Sequence, residues 1–175
     1  MDVIQLGEDV LKALQDKGWD VQLSDSREPL LPPDLRRRYP RLPVELTDFL
    51  ERIESAANAD ENIWFLCRAD FRNTDAQSFR WNEFELMLLE NDDAKQQAET
   101  RRFWDLHFPF MLATHSDYDY LAVSLEEQSY GQVVHGCELE LQEPSVVAPS
   151  LAEFLALFKE TAAGRRNEYP LTAFV

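Results

Sequence analysis

The segment 107–144, HFPFMLATHSDYDYLAVSLEEQSYGQVVHGCELELQEP, constrains the fold more than any other part of the chain. It holds three apolar runs separated by two polar breaks. In the middle run Leu121, Val123 and Leu125 share one parity. In the last run Val133, His135, Cys137, Leu139 and Leu141 share one parity, against Glu138, Glu140 and Gln142 on the other. Side chains on a strand point alternately to opposite faces, so this pattern predicts a sheet with one face on a core and one on water. The break Glu126–Gly131 provides a glycine for a positive φ and predicts a hairpin turn. The expectation is an antiparallel meander with helices packed on its apolar face.

The flanking segments read mainly as helices. Val3, Leu6, Val10 and Leu14 recur at helical spacing and predict a first helix over 2–17, with Asp2 and Gln5 as a capping box and Gly18 as its stop. Trp19, Val21 and Leu23 alternate as a short edge strand, and the Pro- and Arg-rich stretch 24–41 reads as a connecting loop. Pro43 opens a second helix with the stripe Leu42, Leu46, Phe49, Leu50 and Ile53. The run 62–67 predicts a strand buried on both faces, and Phe79–Leu89 one or two further strands. Asn91, Asp92 and Asp93 open a helix to Leu106 with a thin stripe of Ala94, Ala98 and Phe103. Ser150 and Glu153 cap a final helix with the face Leu151, Phe154, Leu155 and Phe158, stopped by Gly164, before a tail whose apolar residues are placed to dock. Helices at both chain ends around consecutive strands predict an α+β class, a central, mostly antiparallel sheet in a single domain spanning 1–175.

Charge narrows the function. The 33 acids and 17 bases leave a net charge of −16, and residues 60–143 carry −12 of it, from 18 acids and 6 bases. A field of one sign steers partners of the other sign, so a basic protein is the expected ligand. Nucleic acid is not, because phosphate contacts need a basic surface. No apolar run approaches the roughly 20 residues of a membrane-spanning helix, and the acidic start MDVIQLGEDV lacks the order of a signal peptide. Cys67 and Cys137 lie far apart inside apolar runs and read as two buried free thiols, which with the other signs predicts a cytoplasmic protein.

Catalytic signatures are absent. The five glycines form neither GxGxxG nor GxxxxGK, and no GxSxG elbow occurs. His107 reads as a helix-end or solvent residue and His135 as a core residue with one satisfied nitrogen. His115, Asp117 and Asp119 are the cluster with metal-ligand chemistry, but their spacing matches no known site, and Asp at a strand break serves turn geometry. No metal, no cofactor and no enzymatic activity are therefore expected.

Aromatic residues interleaved with acids form the remaining constellation. Phe79, Trp81, Glu83, Phe84 and Glu85 are followed by Glu90, Asp92 and Asp93, the combination of ring anchors and polar surroundings that protein interfaces favour. With Asp70 and Asp75 before them, and with Asp117, Asp119, Glu126 and Glu127 in the turns of the meander, they make the expected partner-binding set: Asp70, Asp75, Trp81, Glu83, Glu85, Glu90, Asp92, Asp93, Asp117, Asp119, Glu126 and Glu127. The competing expectation is that Trp81 and Phe84 belong to the core.

Taken in order, these elements resemble the SUKH superfamily. PRLPVELTDFLERI resembles the family's opening helix after Leu-Pro; FPFMLAT, HSDYD, YLAVSL and GQVV resemble its strand, acidic turn, strand and Gly-x-Val; PSLAEFLALF resembles its final helix. The likeness covers about residues 40–160. The chain departs from the family where SAANADEN stands for the usual Asn-Gly, and where Ser116–Asp117 stands for Gly-Asp. The resemblance implies an α+β domain that binds rather than catalyses. In bacteria such proteins commonly neutralise a cognate toxin, often a nuclease, and other members act as regulatory or scaffold modules for endogenous proteins.

Overall fold

The computed structural model describes residues 2–90, 93–137 and 143–175. Its centre is an antiparallel sheet whose seven strands, among the described residues, lie side by side in chain order. They are β1 (Asp20–Leu23), β2 (Ile53–Ala57), β3 (Ile63–Phe65), β4 (His107–Ala113), β5 (Asp119–Ser124), β6 (Val133–Cys137) and β7 (Ser145–Ala148). The helices are α1 (Val3–Asp16), α2 (Pro33–Arg38), α3 (Val44–Glu51), α4 (Arg68–Arg72), α5 (Glu83–Leu89), α6 (Ala94–Leu106) and α7 (Leu151–Ala162), followed by a 3-10 turn at Leu171–Phe174. The α+β class, the antiparallel sheet and the helices at both ends are as expected.

The meander forms as its alternation requires. Leu121 pairs with His135 and Val123 with Val133, so the shared-parity residues lie on one face. Gly131 takes φ +82° in the β5–β6 turn, where any side chain would be strained. The expectation of a wet second face fails, because every residue of β4 and β5 is buried. Helices cover both faces. On one, Phe65 meets Phe49 of α3 and Phe158 of α7, and Phe110 meets Phe154 of α7. On the other, Tyr120 packs on Trp104 and Phe103 of α6 and on Phe84 of α5. The continuation of the last run, 138–142, lies outside the described residues, as do Asn91 and Asp92.

Several local expectations change. Phe79–Leu89 is not a strand: residues 83–89 are helical, since Phe84 and Glu85 bury one side of a helix and Glu83 reaches back to the Arg80 N–H at 3.2 Å. The loop 24–41 contains α2. β2 begins at Ile53, which leaves the α3 stripe to become a strand residue, and α4 and β7 carry too few periodic residues to announce themselves. α6 is capped by Asp93 but buries Thr100 and Trp104, with Ala94 and Ala98 exposed. Asp2 caps α1, while Gln5 turns instead to Asp9 at 3.1 Å. Ser150 caps α7 through the Glu153 N–H, and the tail docks through buried Leu171 and Phe174.

Candidate functional site

A meander in chain order places its connections alternately at two ends of the sheet. The register puts the β2–β3 turn, the β4–β5 turn, the β6–β7 connection and the start of β1 together: Asp20 pairs with Ala57, Ile63 with Ala113, Asp119 with Cys137 and His135 with Ser145. The Thr114 N–H donates to Asn62 O at 2.8 Å and joins two of these turns directly. Their described residues, 58–62, 114–118 and 143–144, contain Asp60, Glu61, Asp117 and Glu143 and no Lys or Arg. All four acids and Asp20 are exposed. This end of the sheet is an acidic rim.

Aromatic residues surface beside it. Trp64, Phe79, Phe84 and Tyr118 form a row with successive ring centroids 5.5, 5.9 and 5.5 Å apart. Phe84 is buried and anchors the row, while Phe79 and Tyr118 are each 39% exposed. The loop 73–82 is held in shape by Asn73, whose side chain bonds Ser78 Oγ at 2.6 Å and accepts from the Asp75 N–H at 2.9 Å. Phe79 is thereby brought over Trp64, and Asp75 is left exposed in the same loop.

The expected partner-binding residues are redistributed by this geometry. Asp117 is on the rim, and Asp75 shares a loop with Phe79. Trp81 is core, packed against Phe71 and edge-on to Tyr39. Glu85 is 4% exposed and holds Arg38 in a two-pronged ion pair at 2.7 and 2.9 Å. Asp70 is half-buried and accepts the Cys67 N–H at 2.7 Å, and burial raises its carboxyl above the ordinary value. Glu83 is half-buried at the start of α5 beside Arg80. Glu90 and Asp93 are exposed near the α5–α6 corner, Asp93 as the cap of α6. Glu126 and Glu127 are exposed in the β5–β6 turn, at the opposite end of the sheet from Asp117. Asp92 lies outside the described residues. Burial removes Trp81, Glu85 and Asp119 from any exposed contact set; the expected set omitted Phe79, Tyr118 and the rim acids Asp20, Asp60, Glu61 and Glu143, and the signal for Tyr118 was its place between two acids in a turn.

Asp119 has moved into a different company. It is 4% exposed and lies across the strand pair from Cys137, while His135, also 4% exposed, is its diagonal neighbour. His135 Nε2 is 2.6 Å from Asp119 Oδ1, with the ring N–H donating to the carboxylate. His135 is thus the expected core histidine with a satisfied nitrogen. The trio His115, Asp117 and Asp119 does not assemble: His115 Nε2 is turned to Ala173 O at 3.0 Å and stays exposed. Cys137 is exposed rather than buried, while Cys67 is buried and its thiol is pushed well up by desolvation. His107 is likewise not a solvent residue; it stacks on Phe103, with centroids 4.3 Å apart, and its Nδ1 meets Phe103 O at 2.9 Å.

Among the described residues no helix is long and apolar enough to cross a membrane. No protein-family model, curated protein or solved structure matches this chain.

Proposed function

We propose that this chain is a non-enzymatic, acidic protein-binding domain of SUKH type, whose occupant is a basic protein such as a nuclease toxin that it neutralises. The observation that carries this reading is the pairing of half-exposed Phe79 and Tyr118 with an acidic rim free of Lys and Arg among its described turn residues. Aromatic anchors supply binding energy in interfaces, and acids around them select a basic partner and accelerate encounter. A nuclease offers such a surface, because it must bind phosphate. The order of helix, strands, acidic turn and final helix supports the family reading.

The test is affinity capture from host cells with the wild-type chain and with Tyr118→Ser and Asp117→Lys, followed by association kinetics on the captured protein. The expected partner is basic, is lost by both variants, and associates at least tenfold more slowly at high than at low salt. A partner that is acidic, that both variants retain, or that associates independently of salt overturns the reading.

A further inference from the structure

Three side chains of different donor chemistry converge where β5 and β6 meet the C-terminal tail. The ligand atoms of Asp119, His135 and Cys137 all lie within 4.8 Å of one another. Asp119 and Cys137 are direct cross-strand partners, and His135 stands two residues before Cys137 on the same face, so the sheet register itself holds the three together. The tail closes the group from outside. Tyr169 sets its ring edge-on to His135 at 5.3 Å, and Phe174 is edge-on to His135 at 6.0 Å. Partial burial of the phenol, with Cys137 and the carboxylates of Asp119 and Asp117 nearby, pushes Tyr169 up to about 12.

We propose that Asp119, His135 and Cys137 form a binding site for a borderline divalent cation of the zinc type. One carboxylate oxygen, one imidazole nitrogen and one thiolate are the donor set such an ion prefers over the all-oxygen sets of magnesium and calcium. Donors bound tetrahedrally to zinc stand about 3.3 to 3.6 Å apart, so His135 Nε2 and Asp119 Oδ1, which are 2.6 Å apart, need to separate by about 1 Å, and a pair at the 4.8 Å limit needs to close by about 1.5 Å or less. Exposed Cys137 provides the entry path and leaves a fourth position for water. On binding, the thiol releases its proton, and the imidazole proton that Nε2 donates to Asp119 shifts to Nδ1 so that Nε2 is free to bind the ion. This site stands apart from the protein-binding reading; an ion here links β5 to β6 beneath the acidic rim.

Cobalt(II) is the probe, because thiolate coordination gives it an intense near-ultraviolet charge-transfer absorption. Full-length protein, stripped with chelator and kept reduced, is titrated with cobalt and then with zinc. The expected result is one equivalent of cobalt with the thiolate band, displacement by zinc, loss of the band in Cys137→Ser, and at least a tenfold weaker affinity in Asp119→Asn. Cys137 is exposed, so the far-ultraviolet circular dichroism of Cys137→Ser is expected to match wild type, separating lost ligation from lost fold. Absence of the band in the wild-type protein, or its persistence in Cys137→Ser, overturns the proposal and leaves Asp119 and His135 as a buried hydrogen-bonded pair.

Discussion

The ring of Tyr120 lies flat across Gly136, its cross-strand partner: a Cβ on Gly136 would stand 2.1 Å from the phenolic oxygen and 2.2 Å from the ring carbon that bears it. The glycine is therefore needed for space, in a strand where it otherwise weakens pairing. Tyr120 in turn supports Trp104 at 4.9 Å, so one missing side chain on β6 seats α6 on the sheet. Gly136→Ala is expected to destabilise by about 1–3 kcal/mol, as overpacking against a rigid ring does. In a Tyr120→Leu background the same change is expected to cost at least about 1 kcal/mol less. Urea unfolding of the four proteins checks this, and equal costs in both backgrounds refute the contact.

Arg38 and Glu85 join α2 to α5 inside the protein. The guanidinium bonds both Glu85 oxygens, donates to Asp105 at 2.7 Å, and lies over the rings of Tyr39 and Trp81 at 5.3 and 5.8 Å. The Glu85 side chain is 5% exposed and that of Arg38 23%. Removing one partner of such a pair strands the other charge. Glu85→Leu is expected to cost about 2–4 kcal/mol, and the double change Arg38→Met with Glu85→Leu to recover at least half of it. A double variant as unstable as the single one would count against the ion pair.

His107 predicts a pH dependence. Burial lowers its pKa below the ordinary 6.5, against the opposing effects of Phe103 O and of Glu126. The unfolded chain thus binds this proton more readily than the folded one. Stability contributed by neutral His107 is complete above about pH 6.5 and is lost as pH falls through that value toward the lower, folded one. His107 lines a cavity of about 530 Å³ with Ser124, Glu126 and Glu143. The imidazole C–H resonance in NMR is expected to titrate below 6.5 in the folded protein; a midpoint at or above it contradicts the sign.

Much of the fold was legible because period and parity speak directly. The alternation of Leu121, Val123, Val133 and His135 located the meander, and Ser150 with Phe154 and Phe158 located α7. Phe79–Leu89 misled because a dense apolar run fits either period, and only the packing of Phe84 and Glu85 decides between them. The wet face misled because polarity in the odd–even pattern came largely from residues beyond Cys137. β4 and β5 carry apolar or small residues on both sides, which is how a doubly covered strand reads.

The candidate site was less legible. Acids could be counted but not sorted: Glu85, Asp70 and Asp119 are engaged inside the protein, while Asp117 and Asp75 stay exposed, and nothing in their neighbours along the chain distinguishes them. The convergence of Asp119 with Cys137 depends on register across a hairpin 16 to 18 residues apart in sequence, which parity alone leaves open.

The acidic rim and the core beneath it are expected to separate cleanly on mutation. Asp117 is exposed, and Tyr118 touches the interior through the ring of Phe84. Asp117→Lys is therefore expected to change stability by no more than about 0.5 kcal/mol, the ordinary range for surface positions, and Tyr118→Ser by about 1 kcal/mol through the lost ring contact. Phe84→Ala, by contrast, removes a fully enclosed ring joined to Phe79, Tyr118 and Tyr120, and is expected to cost about 3–5 kcal/mol. Thermal and urea unfolding of the three variants tests the division. If Tyr118→Ser unfolds as readily as Phe84→Ala, the tyrosine is a core residue with an exposed edge, and its place in a binding surface falls.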